Sequence, residues 1–161
     1  MFFSNFTPTQ VCKNQRYIAD WSKILMNQHE QLRYEIDSIR NLLKHESYCI
    51  HQLAAKIKRL TQGVQIHLAL EHTFLNPALD KVEVSEIRIR QLTDGFTLLD
   101  LACNQATSLI NTLLLSPHDE IRKLKYEDRV NRLLSLISVQ ILEEDGFYFS
   151  MRGVAGAFYE N

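Results

Sequence analysis

Apolar residues recur at alternating steps of three and four along most of this chain, and that pattern restricts the fold more than any other feature. Such a step returns a side chain to the same face of an α-helix, so each run writes one apolar seam on one helix. Four runs follow one another. Ile18, Leu25, His29, Leu32, Ile36, Ile39 and Leu43 predict a first helix over about 11–44. Ile50, Leu53, Ile57, Leu60, Val64, His67, Glu71, Phe74 and Ala78 predict a second over about 47–79. Ile89, Leu92, Phe96, Leu99, Cys103, Ala106, Ile110 and Leu113 predict a third over about 85–115. Tyr126, Val130, Leu133, Ile137, Gln140, Glu144 and Phe147 predict a fourth over about 117–149.

The punctuation agrees. Five Gly and three Pro in 161 residues are too few for a fold made of many strands and turns. Ser116-Pro117-His118-Asp119 offers a capping hydroxyl, a Pro at the first helical position and an acid in the first turn. Short connections around His45-Glu46, Asp80–Val84 and Ser116-Pro117 make successive helices antiparallel. The predicted fold is all-α: one antiparallel, up-down-up-down four-helix bundle over 1–161. Its aromatic tail over 150–161 is expected to fold across an open end of the bundle, together with Phe147, Tyr148 and Phe149.

Several function classes drop out on composition. A net charge of −1 gives no broad surface for nucleic acid or an anionic membrane, and the Lys56, Lys58, Arg59 cluster reads as a solvated helix face. No apolar run is long enough to span a bilayer, and the first residues lack the basic and apolar regions of a signal peptide. Cys12, Cys49 and Cys103 are odd in number and far apart, so a reducing cytoplasm is the expected setting. There is no Gly-rich phosphate loop, GxSxG or recognisable Cys-His pair, so a hydrolase or transferase ranks well behind a binding function.

What the pattern does single out is five polar residues on otherwise apolar seams: His29, His67, Glu71, Gln140 and Glu144. Counting away from each predicted turn at ~1.5 Å per residue brings them towards one level of the bundle. Carboxylates buried in an apolar core are costly unless something offsets their charge. A cation held by imidazole and carboxylate does so, and His67 and Glu71, one turn apart, can share it. A metal-free hydrogen-bond network, with a Glu protonated or paired to a basic side chain, is the other solution. His51 and His72 fall off the seam and are expected at the surface; Cys103 is expected in the core.

The stretch His67-Leu-Ala-Leu-Glu-His-Thr-Phe-Leu-Asn-Pro-Ala-Leu79 resembles the second helix of the hemerythrin-like, HHE cation-binding family, and His29 resembles that family's first-helix His. The resemblance implies a non-haem iron centre, mono- or dinuclear, that handles oxygen, nitric oxide or iron or senses redox state. It implies His29, His67, Glu71 and Glu144 as ligands, with Gln140 where the fourth helix should bring a His and Asp145 as an alternative carboxylate. The third helix departs from the family: near the required level it offers Ile87, Arg88, Gln91, Leu92 and Asp94, and no His. The ligand set is therefore incomplete, to be completed by Asp94 or water, or else degenerate, with Arg88 turned inward to neutralise Glu71 and Glu144. Trp21 and Leu142-Glu143-Glu144-Asp145 are similar to features of the regulator of sigma D family of anti-sigma proteins. That similarity implies the alternative: a metal-free helical module that binds a protein partner.

Overall fold

The computed structural model describes residues 15–45, 47–79, 85–115 and 120–157. They form four helices: α1 Gln15–Leu43, α2 Ile50–Leu79, α3 Glu86–Leu115 and α4 Glu120–Ala157. Each helix packs on its sequence neighbour and α1 closes the ring against α4. Partners across α1 and α2 run in opposite directions, from Gln28 with His67 to Glu35 with Arg59 and Ser38 with Lys56. Those across α1 and α4 do the same, from His29 with Asp145 to Arg40 with Ser138. Helices α2 and α4 run in parallel, as Tyr48 with Glu127 and Glu71 with Tyr148 show. This is the predicted bundle. Among the described residues no helix is long and apolar enough to cross a membrane.

Helix ends follow local chemistry. The Ser85 carbonyl accepts from Arg88 N at 2.9 Å and Ile89 N at 3.2 Å, which starts α3 where the sequence suggests. The end of α1 tightens through Lys44 N to Asn41 O and His45 N to Leu42 O. The predicted cap at Ser116 lies outside the described residues. The tail departs from expectation: α4 does not stop near 149 but continues to Ala157. Each glycine within a helix, Gly146 first among those of α4, costs only about 1 kcal/mol. Burial of the adjacent Phe147 and Tyr148 outweighs it. Phe147 and Tyr148 fill the end of the bundle from within the helix, whereas Phe149 faces outward. Residues 158–161 lie outside the described set.

The seams are buried as predicted wherever their side chains are described, apart from partly exposed positions at Leu43, Ile50, Ile89 and Phe96. Yet the apolar core is not continuous. One cluster holds Leu32, Ile36, Leu60, Val64, Leu99, Ile137 and their neighbours; a smaller one holds Leu25, Leu75, Leu92, Phe147 and Tyr148. On every helix the same polar break separates them: His29 on α1, His67 and Glu71 on α2, Gly95 on α3, Gln140 and Glu144 on α4.

Gly95 and Gly146 respond oppositely to a methyl group. A Cβ at Gly95 would overlap the Gln140 side-chain amide, which is buried and bonded to Glu144; a Cβ at Gly146 meets nothing within 4 Å. Gly146→Ala is therefore expected to stabilise the protein by up to about 1 kcal/mol through helix propensity. Gly95→Ala gains the same propensity but displaces a hydrogen bond to a buried carboxylate worth about 1.5–3 kcal/mol, so it is expected to destabilise. Urea unfolding of both variants tests the opposite signs.

Candidate metal centre

The polar break is a set of converging donors. His29 Nε2 and His67 Nε2 lie 3.1 Å apart, and each lies 3.0 Å from Glu144 Oε2. All three side chains are buried. The three atoms come from α1, α2 and α4 and form a nearly equilateral triangle.

The outer edges of both rings are already occupied. His29 Nδ1 donates to Asp145 Oδ1 at 2.7 Å, and Asp145 is in turn held by Arg33. His67 Nδ1 donates to Gln28 Oε1 at 3.2 Å. With the proton on Nδ1, a neutral ring presents a lone pair at Nε2. Two imidazole lone pairs and a carboxylate oxygen then point at one place, an arrangement that calls for a cation. A proton can hydrogen-bond one acceptor along a line, while a metal ion can accept all three donors at once. An ion about 2.1 Å from each donor would see donors 3.0–3.1 Å apart at angles of roughly 90°, as on one face of an octahedron. The distances fit a two-His, one-carboxylate site, and the Nδ1 partners are the outer hydrogen bonds that such ligands use.

Glu71 stands beside the triangle. Its Oε2 is 3.6 Å from His67 Nε2 and buried with no hydrogen-bond partner; its Oε1 accepts from the Tyr148 hydroxyl. Burial, reinforced by the charge of Glu144, pushes the Glu71 carboxyl up to about 8, against the opposing pull of His67 and Tyr148. Burial acts to raise Glu144 as well, but in the ion-free site it accepts from ring N–H groups of His29 and His67 and from Gln140, and these hold it below the usual carboxylate range; a metal ion would take the place of the ring protons at Nε2. The two acids thus differ sharply: one is stabilised as an anion and the other is disfavoured as one.

The structure brings His29, His67, Glu71, Gln140 and Glu144 together. Gln140 Nε2 donates to Glu144 Oε1 at 2.6 Å. Asp145 meets the outer edge of His29 and not the triangle. Asp94 is exposed and completes nothing here. Arg88 does not turn inward: it is exposed, and its guanidinium carbon lies 5.8 Å from the Phe147 ring centroid. A long polar head gains more from water and an aromatic face than from entering a layer already filled by Gln140 and Tyr148. His51 and His72 are exposed and Cys103 is buried, as expected.

Gln28, Arg33, Gly95 and Tyr148 are absent from the sequence-derived set. Gly95 left only the signal of a glycine kept within a helical pattern at a cost of about 1 kcal/mol against Ala, a signal it shares with Gly63 and Gly146. Tyr148 lies one turn beyond Glu144 on the same face. Its ring stacks on His29, with centroids 5.6 Å apart and an interplanar angle of 19°. Gln28 and Arg33 carry no pattern that distinguishes them from other surface-type residues. Comparison with protein-family models, with curated proteins and with solved structures gives no match.

Proposed function

We propose that this protein is a hemerythrin-like metal-binding bundle whose centre holds non-haem iron, for handling oxygen, nitric oxide or iron or for sensing redox state. The observation that carries the reading is the triangle of His29 Nε2, His67 Nε2 and Glu144 Oε2, with both Nδ1 atoms committed to acceptors. Two imidazoles and a carboxylate with positions left open are the donor set of non-haem ferrous sites. Bound there, iron supplies a one-electron couple and coordination positions for a small diatomic ligand. The chain's own part is to orient and to shield. Asp145 and Gln28 set the ring tautomers, Gln140 fixes Glu144, Tyr148 fixes Glu71, and apolar clusters on both sides keep bulk water from the layer.

The test is reconstitution with ferrous iron under anaerobic conditions, followed by measurement of bound iron, manganese and zinc. The expected result is iron retained through desalting. A wild-type protein that retains none of the three would sink the proposal.

One observation favours the metal-free interaction module as a second reading. Val139, Leu142 and Phe149 are 55%, 71% and 75% exposed on one side of α4. An apolar stripe of that kind suits a protein partner. This reading predicts no retained metal and a polar layer that serves only to fix the helix register.

A further inference from the structure

We infer that the centre is built for a single metal ion, because each of its two carboxylates has one oxygen already claimed by a protein donor. The inference rests on the metal-site reading above. Gln140 Nε2 donates to Glu144 Oε1 at 2.6 Å, and the Tyr148 hydroxyl donates to Glu71 Oε1. That leaves one oxygen on each acid. Glu144 Oε2 stands in the triangle, and Glu71 Oε2 lies buried and unpartnered, 3.6 Å from His67 Nε2.

A carboxylate that bridges two ions gives one oxygen to each. Here the second oxygen faces an N–H or an O–H. The positive end of that dipole, which attracts the carboxylate, repels a cation. The caps are also not free to swing aside. Gln140 is 5% exposed and lies where a Cβ at Gly95 would sit, and Tyr148 is fully buried and stacked on His29. Displacing either would leave a buried donor without its acceptor, at a cost of the desolvation kind.

A second ion would also need ligands of its own, and two-ion centres in bundles draw them from all four helices. At this level α3 brings Gly95, with no side chain at all, and Asp94 is exposed. The space that a third-helix ligand would cross is filled by the Gln140 amide. Gln140 and Tyr148 are therefore positioning residues that fix each acid to one donor oxygen and the centre to one ion.

The experiment uses manganous ion alone, with metal analysis and electron paramagnetic resonance on the full chain. Wild type should bind one manganese per chain with the hyperfine pattern of an isolated ion. The double variant Gln140→Glu, Tyr148→Phe removes both donor caps and adds an acceptor. It should bind up to twice as much manganese, with exchange coupling between neighbouring ions. Tyr148→Phe alone, which removes one hydroxyl, serves if circular dichroism shows the double variant unfolded, and should show the same change at lower occupancy. A purely structural role for the caps would alter stability but neither the stoichiometry nor the coupling. Two coupled ions in wild type would overturn the single-ion inference and leave the site standing. No bound manganese in wild type, with iron and zinc equally unretained, would overturn the site itself, and one of those ions bound without manganese would overturn the single-ion inference if it were found at two per chain. One isolated ion in wild type and folded variants alike would overturn the role given to Gln140 and Tyr148.

Discussion

Replacing His67 with Ala is expected to reduce retained ferrous iron from about one per chain to background while the helical circular dichroism persists. His67 Nε2 forms two of the three edges of the donor triangle and is also the nearest partner of Glu71 Oε2. Losing an outer hydrogen-bond partner of a ligand already weakens a metal site by about 10–100-fold, so losing the ligand itself costs more. The fold should survive, because the change falls in the polar layer and leaves both apolar clusters intact. The loss of a buried polar contact and of packing around the missing ring is worth about 1–3 kcal/mol. Arg88→Ala provides the contrast: with Arg88 exposed over Phe147, it should leave iron content unchanged. Metal analysis of wild type and both variants, purified and reconstituted side by side, gives the answer. Full iron retention by the His67 variant would remove the triangle from consideration as a metal site.

With metal removed by a chelator, the stability of the wild-type protein should fall as pH rises from about 4.5 towards 8, and Glu71→Gln should abolish much of that fall. Burial raises the Glu71 carboxyl from 4.5 to about 8 in the folded protein. The folded state therefore binds this proton more tightly than the unfolded chain does. The stabilisation is fully present below the unfolded value and is lost as pH rises through the folded one, at up to about 1.4 kcal/mol per pH unit. Gln has the same shape, can still accept from Tyr148 and never ionises. At pH 8 the variant should be more stable than the metal-free wild type by on the order of 4 kcal/mol. Glu144 acts in the opposite sense. Its folded value is held down, so its contribution is present above the usual carboxylate range and lost as pH falls through the folded value. Urea midpoints for both proteins at pH 5 to 8 measure the difference. Parallel curves would show that Glu71 does not carry a buried proton.

The polar layer was visible in the sequence because its members interrupt a regular pattern. His29, His67, Glu71, Gln140 and Glu144 occupy seam positions, and a residue on a seam of a four-helix bundle is buried whatever its chemistry. Their convergence also followed from counting, since the rise per residue is constant along a helix and the connections are short. The same reasoning could not place Arg88 or Asp94. Both sit beside the α3 seam, where a small rotation decides between inside and outside. At that level Gly95 lets the Gln140 amide lie against the α3 backbone, which leaves no room for a further side chain.

Nor could it separate ligand from support. Asp145 adjoins Glu144 in sequence, but consecutive helical residues point about 100° apart. Glu144 therefore enters the triangle while Asp145 reaches around to the outer edge of His29.

Periodicity determined four helices and their seams, and the short connections between them added the antiparallel order and the level at which histidines and acids meet. These depend on the repeat of the helix, the cost of exposing apolar surface and the length of the connections. Only the tertiary structure decided which atoms face one another. The ring edges engaged by Asp145 and Gln28, the Glu71 oxygen capped by Tyr148 and its unpartnered neighbour arise from contacts between helices, and the Glu144 oxygen capped by Gln140 from a contact within α4. Apart from Gln140 and Glu144, which stand one turn apart on α4, the partners in these contacts are 39 to 116 residues apart in sequence. Hydrogen bonds act over about 3 Å, and no one-dimensional pattern carries distances that short between residues so far apart.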